Sequence, residues 1–306
     1  MTDTTFQARV EQHRAELLAY CYRMLGSVHE AEDLVQDTML RAWNARERYD
    51  ERKASIRTWL YRIATNVCLT ALEGRARRPL PSGLGPPSTD PQTPLVPDFE
   101  VPWLGPFPDT RADPADLAVR RDSLRLALIT AMQALPARQR AVWVLREVLE
   151  FSAAEVAEQL GTTVTSVNSA LQRARTGLNG AEVAPSSDPA ALRTVEAYVR
   201  AFEAADVGAL VELLTEDAIL EMPPVPLWYR GRDDCAAFLR RVFALRGEGW
   251  RMMPTAANGQ PAVAAYTPDG RLHTLQVFTV AGGLIAHTAV FQSPTVFEAF
   301  DLPLTC

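Results

Sequence analysis

Cysteine and histidine are scarce in this chain of 306 residues, which contains four of each. The cysteines are far apart and form no CxxC pair, so a reducing compartment fits best and a structural zinc site is not expected. No run of eighteen apolar residues occurs, and the start, MTDTTFQARV, has no apolar stretch of the kind a signal peptide needs. These absences predict a cytoplasmic protein that neither spans nor anchors to a membrane.

The common catalytic motifs are also missing. No nucleophile elbow, metal-ligand spacing or phosphate loop occurs in the sequence, so we expect no metal and no cofactor. The net charge is -6, but it is unevenly distributed, because residues 1–78 and 113–180 carry +2 and +1 whereas 185–306 carry -5. The acidic total therefore does not exclude nucleic-acid binding by the first two segments.

Proline divides the chain into modules. Ten of the 22 prolines lie within residues 79–112, and because proline fixes φ and lacks an amide donor, this segment is predicted to be an extended linker. A shorter break, AEVAPSSDPA, begins at Ala181. Residues 1–78 and 113–180 show helical spacing of apolar side chains, whereas 188–306 combines helices with strand-and-turn patterns. The predicted fold is multidomain: two all-α modules, a proline-rich linker between them and a C-terminal α+β domain.

A helix-turn-helix is predicted in residues 151–175, FSAAEVAEQLGTTVTSVNSALQRAR. Ala157, Gly161 and Val167 have its spacing, since alanine lets two helices cross closely and glycine tolerates the turn. The outward face of the second helix carries side chains that suit base edges and phosphates in the major groove. These candidates are Thr163, Thr165, Ser166, Asn168, Ser169, Gln172, Arg173 and Arg175. A solvated amphipathic helix is the alternative, and the glycine spacing and polar-basic face favour DNA binding.

The first module carries two further polar surfaces. In VHEAEDLVQDTMLRAW, acidic groups beside the apolar stripe disfavour DNA and suit a protein partner; the candidates are Asp33, Gln36, Asp37 and Arg41. In the segment that follows, arginines flank an indole, a combination typical of surfaces that stack the bases of melted DNA. Its candidates are Arg52, Lys53, Ser55, Arg57, Thr58, Trp59, Arg62 and Asn66. A tryptophan in an amphipathic helix is also commonly a core residue, so both interpretations of Trp59 stay open.

Three segments, AEDLVQDTMLRAW, SIRTWLYRIATNVCLTALEGRARR and LPARQRAVWVLREVLEFSAAEVAEQLGTTVTSVNSALQRAR, resemble in this order the extracytoplasmic-function (ECF) sigma factors of bacterial RNA polymerase. The resemblance covers residues 6–178 and implies a promoter-recognition subunit with no catalytic activity. It implies that the 33–41 candidates bind the clamp of core polymerase, that 52–66 reads and melts the -10 element, and that the helix-turn-helix reads the -35 element. Asn168 and Ala170 stand where the family commonly has lysine or arginine, which predicts weaker phosphate binding.

The C-terminal third resembles SnoaL-like domains, which are cone-shaped α+β folds with a central pocket. The stretch VPWLGPFPD is similar to the linker of sigma factors that carry such an extension. Relatives of this fold include enzymes with a pocket Asp or His as general base, and the corresponding candidates here are Asp217, Glu221, Trp228, Tyr229, Arg271, His273 and His287. Strand alternation does not decide which of them face inward. The expected role is regulation or the sensing of an unknown small ligand.

Trp103, Leu104 and Phe107 form an apolar cluster in the linker, and exposed apolar clusters usually mark a contact. We expect this cluster to pack against 188–306 and to restrain the two DNA-reading modules; packing on the helices at 114–150 is the alternative. Two other functions stay open: a cyclase or hydrolase tethered to a DNA-binding arm, and a ligand-responsive repressor. The acidic residues at 31–43 followed by RTWLYRIATN favour the sigma factor over both.

Overall fold

The computed structural model describes residues 3–179 and 189–306 and divides the chain into two compact units. Among these residues, the first unit holds those up to Arg77 together with those from Arg111 to 179. The second unit holds Arg78–Thr110 and the residues from 189 onward. The first unit therefore contains both predicted helical modules.

The first module consists of four helices: α1 Asp3–Glu11, α2 Arg14–Leu25, α3 Val28–Asn44 and α4 Ile56–Leu72. Serine side chains begin the two long ones. Ser27 accepts a hydrogen bond from the amide of Glu30, and Ser55 accepts one from the amide of Thr58, so each serine satisfies an amide that the helix leaves unpaired. Gly26, with φ of 71°, ends α2 in the left-handed conformation that glycine adopts without strain.

The second module contains five helices: α5 Pro114–Arg120, α6 Leu126–Gln133, α7 Ala137–Trp143, α8 Ala153–Gln159 and α9 Val164–Leu178. A π-helical turn, Val144–Val148, continues α7. Ser152 and Glu155 form a reciprocal capping box that begins α8, and Thr163 caps α9 by accepting a hydrogen bond from the amide of Ser166. The cap and turn residues thus set where the helix-turn-helix begins and bends.

The two helical modules pack against each other within the first unit. Arg140 of α7, which is 4% exposed, donates to the carbonyl of Met24 near the end of α2 and to Gln133 Oε1 at 2.9 Å. Burial lowers the pKa of Arg140 to about 10, so the guanidinium stays charged at neutral pH and satisfies a carbonyl that the helix end leaves unpaired. The ring of Phe151 also packs edge-on against Tyr61 of α4, with the centroids 5.4 Å apart.

The second unit is an α+β domain. Its helices are α10 Pro189–Glu203, α11 Val207–Glu212, α12 Arg232–Arg246 and α13 Pro294–Ala299, and its strands are β1 Leu214–Glu221, β2 Trp228–Arg230, β3 Arg251–Ala257, β4 Gln260–Tyr266, β5 Leu272–Ala281 and β6 Leu284–Phe291. The strand order is β2-β1-β6-β5-β4-β3. Every pairing is antiparallel except that of β1 with β6.

The two faces of this sheet are buried by different parts of the chain. Leu220 and Phe278 belong to a core that includes side chains of α10 and α12, such as Tyr198 and Phe238. Side chains alternate along a strand, so the residues next to Leu220 and Phe278 in the sequence face the opposite side of the sheet. On that side, residues paired across neighbouring strands form a continuous row: Glu221, Ala289, Val277 and Ala262. All four are at most 1% exposed, so this second face is covered as well.

The segment 78–110, called the strap below, is bound to the α+β domain. The amide of Ser88 donates to the carbonyl of Trp228, and the amide of Asp98 donates to the carbonyl of Pro224. The amide of Phe107 donates to Asn258 Oδ1 at 2.8 Å. The prediction that residues 79–112 form a separate extended linker is not confirmed, because residues 78–110 belong to the same compact unit as the α+β domain and several of their amides donate to it.

The predicted fold class of two helical modules followed by a C-terminal α+β domain is confirmed. The predicted break at 181–188, and the module boundaries expected at 180 and 188, lie outside the described residues.

Candidate nucleic-acid interface

The predicted DNA-reading face of α9 is open to solvent. Val167, Leu171, Ala174 and Leu178 turn inward and are buried, and all eight candidates are exposed: Thr163, Thr165, Ser166, Asn168, Ser169, Gln172, Arg173 and Arg175. Thr163 and Ser166 are joined by the helix cap. Arg175 pairs with Glu147 at 2.9 Å. Asn168, Gln172 and Arg173 therefore stand on an exposed helix face of the kind that enters a major groove.

Gly161 makes the turn between α8 and α9. Its φ is 59°, and a Cβ atom placed there meets nothing within 4 Å. The requirement for glycine is thus a backbone requirement, because other residues are strained in this conformation even where space is free. Ala157, four residues earlier, is buried at 6% exposure. These are the roles that the helix-turn-helix spacing predicts.

The candidates for the -10 element separate into groups with different surroundings. Arg62 and Asn66 on α4, and Arg52 and Lys53 before it, are exposed. Ser55 and Thr58 bond to each other at the start of α4, with 2.9 Å between their hydroxyl oxygens. The exposed group forms a cationic edge suited to phosphates, whereas the capping pair has a structural role at the helix start.

Arg57 is turned toward the second module. Its Nε donates to Glu16 Oε2 at 3.0 Å, and its guanidinium carbon lies 5.0 Å and 5.1 Å from the ring centroids of Tyr61 and Phe151. Arg62 lies 3.7 Å from Glu158 of α8. One side of the candidate -10 surface therefore contacts the module that carries the -35 helix.

Trp59 is half-buried in an aromatic cluster. The centroid of its ring lies 5.1 Å from that of Tyr49 and 6.1 Å from that of Phe6. Phe6 also contacts Trp43, with 6.3 Å between the centroids. Packing holds the indole in place while part of it stays accessible, which is the arrangement that a stacking platform for bases needs.

The candidates for polymerase binding lie on the outer side of α3. Asp33, Gln36 and Arg41 are exposed and Asp37 is half-buried, while Val35, Thr38 and Ala42 turn inward. Arg41 pairs with Asp37 at 3.0 Å, one helical turn away. Gln36 also lines a groove between α1, α2 and α3 together with Leu18 and Val35. This surface offers both charges and an apolar floor to a protein partner.

The candidate pocket residues of the α+β domain do not share one site. Asp217 is exposed. His273 contacts Gln292 at 2.8 Å and packs beside Trp250. Burial lowers the pKa of His273 to about 4, and the charge of Arg246 acts in the same direction, so the imidazole is neutral at physiological pH. His273 and His287 lie on adjacent strands but bond to different partners.

The buried Glu221 pairs with the half-buried His287 at the strap. His287 Nε2 lies 2.6 Å from Glu221 Oε1, and the amide of Ser82 donates to Glu221 Oε2 at 3.0 Å. Burial by itself raises the pKa of Glu221, but the hydrogen bond and charge of His287 and the bonds from Ser82 outweigh it, so the pKa lies below its ordinary value. The carboxylate is therefore ionised and joins the sheet to the strap.

Trp228 and Tyr229 also contact the strap. Trp228 Nε1 donates to the carbonyl of Gly85 at 2.9 Å, and the hydroxyl of Tyr229 lies 3.4 Å from the carbonyl of Asp90. Sequence reasoning missed Arg241, whose Nη1 donates to the carbonyls of Pro91 and Thr93 at 2.6 and 2.7 Å. These side chains hold the strap in place, and no local pattern marks Arg241 because its partners are about 150 residues away.

In the described part of the chain, no helix is long and apolar enough to cross a membrane. Nor do the described residues contain a group of three or more His, Cys, Asp or Glu side chains that could hold a metal ion.

An exposed helix-turn-helix, joined to a second helical module with exposed cations on and before α4, is an architecture typical of DNA-binding proteins. Known families match each part of the chain: Sigma-70 region 2 matches residues 9–78, Sigma-70 region 4 matches 125–178, and the SnoaL-like domain matches 195–288. The chain is 48% identical over 313 residues to the ECF RNA polymerase sigma factor SigG of Mycobacterium tuberculosis, covering 97% of this chain and 84% of that relative. The chain belongs to the ECF RNA polymerase sigma factors.

Two further comparisons agree with this assignment. The probable ECF RNA polymerase sigma factor SigI of Mycobacterium tuberculosis is 28% identical over 290 residues, which are 94% of this chain and 92% of the relative. The crystal structure of the ECF sigma factor SigJ from the same organism matches 99% of both chains with a TM-score of 0.65 at 24% identity, which shows a shared fold. The protein is a transcription initiation factor rather than an enzyme; it binds core RNA polymerase and promoter DNA.

Proposed function

We propose that this sigma factor contacts the -35 element through the exposed face of α9, opens the -10 element with the segment 52–66, and binds core polymerase through α3. The eight exposed side chains of α9 and its N-cap residue support the first assignment, since polar and basic groups on an open helix suit the major groove. The cationic edge beside Trp59 supports the second. The third rests on the exposed charges of α3. This activity belongs in the cytoplasm, where a sigma factor meets polymerase and DNA.

We also infer that the α+β domain restrains the two promoter-reading modules through the strap. The amide of Leu104 donates to the carbonyl of Pro79 at 3.1 Å, and Arg78 Nη1 donates to the carbonyl of Trp103 at 3.1 Å. These bonds join the first residues of the strap to Trp103 and Leu104, so the segment between them folds back on itself. The first helical module ends at Arg77 and the second begins after Thr110, so the strap connects them. A docked strap therefore acts as a short tether between the two modules.

The distance between the two promoter elements on DNA determines how long the connection between the modules must be. The interval from position -35 to position -10 is roughly 85 Å, at 3.4 Å for each base pair. Fully extended, the segment 78–110 spans about 110 Å, at roughly 3.3 Å for each residue. A released strap is therefore long enough to span the two elements, whereas a docked strap that is folded back between Arg78 and Leu104 is not.

The packing of the two helical modules also supports an inactive closed arrangement. Arg57 and Tyr61 of α4 pack on Phe151, and Arg62 lies beside Glu158. A -10 strand bound along this side of α4 would displace those contacts. The closed arrangement is therefore the inactive form in this proposal, and core polymerase or a small molecule bound by the α+β domain releases it.

The single observation that carries the regulatory proposal is that the docked strap folds back on itself, with its first residues bonded to Trp103 and Leu104. Run-off transcription with purified core polymerase tests both parts, using the full chain, a chain ending at Ala184, and a Trp103→Ala/Phe107→Ala variant. Phe99→Ala is a matched control, because Phe99 is 76% exposed whereas Phe107 is fully buried in the same segment.

We expect the full chain to give discrete transcripts. The truncated chain and the double variant should both change transcription in the same direction while core binding survives, and Phe99→Ala should behave as the unaltered chain. Absence of any promoter-specific transcript would refute the initiation assignments. Unchanged transcription from both altered chains would refute the restraint and leave the α+β domain without a regulatory role.

A further inference from the structure

Helix α1 is attached to the loop that precedes α4, through three residues spaced three apart. Asp3 Oδ1 accepts a hydrogen bond from Arg46 Nε at 3.1 Å, and Arg9 Nη2 donates to Glu51 Oε1 at 2.7 Å. Between them, the ring of Phe6 packs against Tyr49, with 6.4 Å between the centroids. Residues at this spacing lie along one side of a helix, so a single side of α1 meets the loop at 46, 49 and 51.

Phe6 joins this loop to the rest of the aromatic cluster. It is 3% exposed, and its ring contacts Trp59 edge-on at 6.1 Å. Removing that ring would leave Tyr49 and Trp59 with a gap between them and α1. The position of the half-buried indole therefore depends on α1 as well as on α4.

Besides α1, the loop contacts α4 through the rings of Tyr49 and Trp59, and α3 through Arg46, which donates to the carbonyl of Trp43. Its backbone hydrogen bonds are local: the amides of Arg48, Tyr49 and Lys53 donate to carbonyls three residues earlier. Asp50 likewise pairs with Arg52, two residues away. Such local bonds shape the loop but do not attach it to the module, whereas the contacts from α1, together with those of Tyr49 and Arg46, do.

We propose that α1 is a positioning clasp for promoter opening: it holds the loop 45–55 and Trp59 in the geometry that receives the separated -10 strand. A surface held ready for its ligand loses less conformational entropy on binding than a mobile one. The Sigma-70 region 2 match begins at residue 9, so Asp3 and Phe6 precede it. The inference rests on the proposed role of 52–66 in opening the -10 element.

The two ion pairs and the buried ring have different parts in the clasp. The side chains of Arg9 and Glu51 are 31% and 66% exposed, and such surface pairs contribute little to stability. Phe6 supplies the buried contact, while the ion pairs at either side set the register of the loop on α1. A charge exchange can therefore test the clasp without disturbing the core.

The test compares Arg9→Glu, Glu51→Arg and the exchanged pair Arg9→Glu/Glu51→Arg in holoenzyme with core polymerase. Opening is followed by permanganate reactivity of thymines at the -10 element, and core binding is measured separately. Ala8→Glu is the matched control, since Ala8 is exposed on the same helix and the change places a glutamate next to position 9 without removing Arg9. Phe6→Leu, which keeps an apolar side chain but removes the ring, is the fourth variant.

We expect each single reversal, and Phe6→Leu, to reduce opening by about two- to ten-fold, the range that coupled side-chain pairs commonly give, with core binding unchanged. The exchanged pair should recover opening, and Ala8→Glu should not reduce it. Single reversals that open the promoter normally, or an exchanged pair that stays impaired, would overturn the clasp. If the unaltered holoenzyme opens no promoter, the proposed function fails; if Trp59→Ala impairs opening while the reversals do not, only the clasp fails.

Discussion

His287 Nε2 lies 2.6 Å from one carboxylate oxygen of Glu221, while the other accepts the amide of Ser82 at 3.0 Å. Glu221 is 1% exposed, so a buried charge connects a strand of the sheet to a segment 139 residues earlier in the chain. A buried ionised carboxylate is tolerated only when its oxygens have partners. The strap is therefore one of the groups that satisfy this charge.

Glu221→Gln should weaken the docking of the strap. The change keeps the volume of the side chain but removes the charge, and hydrogen bonds to charged groups contribute about 1.5–3 kcal/mol. Because the pKa of Glu221 is lowered in the folded chain from an ordinary value of 4.5, its stabilising effect is present above that value and is lost as the pH falls through the folded-state pKa. Hydrogen exchange of the strap amides should be faster in the variant at neutral pH, and the difference should vanish in acid.

Asp217→Asn controls for this experiment, since Asp217 is an exposed carboxylate on the same strand. It should leave the exchange of the strap amides unchanged at every pH. A Glu221→Gln variant with the same exchange rates as the unaltered chain at neutral pH would show that the carboxylate does not hold the strap.

Trp59→Ala should reduce open-complex formation more than it reduces core binding. Stacking of a base on an aromatic side chain is worth about 1–3 kcal/mol, and the half-buried indole keeps one part accessible. The substitution also removes contacts with Tyr49 and Phe6, so thermal unfolding must be measured together with permanganate reactivity. If Trp59→Ala unfolds the module while Trp59→Phe opens promoters normally, Trp59 is a core residue.

Asn168→Ala and Arg173→Ala should weaken -35 binding in different ways. A side chain that contacts a base relaxes preference at one position, at about 1–3 kcal/mol, whereas a phosphate contact weakens binding to all sequences and reduces the salt slope by about 1. We assign Asn168 to the first class and Arg173 to the second. Binding titrations on a set of altered -35 elements at several salt concentrations distinguish them, and identical effects of both substitutions would contradict this division.

Arg175 belongs with Arg173 in this assignment, but it pairs with Glu147 at 2.9 Å. It must exchange that carboxylate for a phosphate, so Arg175→Ala should cost less affinity than Arg173→Ala. Glu147→Gln should increase affinity slightly at low salt in the same titrations. A decrease would show that the pair orients Arg175 for DNA instead of competing with it.

Phe151→Ala should expose the inner side of α4 in the free chain. The ring of Phe151 covers Arg57 and Tyr61, so its removal frees groups that the closed arrangement occupies. Fluorescence anisotropy should detect tighter binding of a single-stranded -10 oligonucleotide. Because Phe151 is 4% exposed and its loss can destabilise the module, Glu158→Arg is a second variant that separates the modules by repelling Arg62. Unchanged DNA affinity in both variants would contradict the proposed occlusion.

Local sequence signals were sufficient to predict the helices of the two modules and the helix-turn-helix. The spacing of Ala157, Gly161 and Val167 depends only on neighbours along the chain, and the structure places each in the expected role. The short strand β2 and the strand β3 were not predicted. β2 has three residues and β3 contains Pro254, so neither shows the alternation that marks a longer strand.

The site in the α+β domain could not be predicted, because alternation gives two faces without saying what covers each. Leu220 and Glu221 are neighbours in the sequence, yet the first faces the helices and the second faces away from them. The docking of the strap cannot be predicted from local patterns either, since Ser82 bonds to Glu221, 139 residues away, and Arg241 bonds to Pro91, 150 residues away.

The division of the α+β domain into two parts of the sequence also has a consequence for synthesis. The strap leaves the ribosome before the second helical module, but β6, which contains His287, follows it by more than half of the chain. At about 5–20 residues per second, that interval lasts on the order of ten to forty seconds. In the later part of this interval, after Leu178 has been made, both promoter-reading modules are complete while the sheet that holds the strap is not. A newly made chain therefore passes through a period in which its modules are joined by an undocked tether.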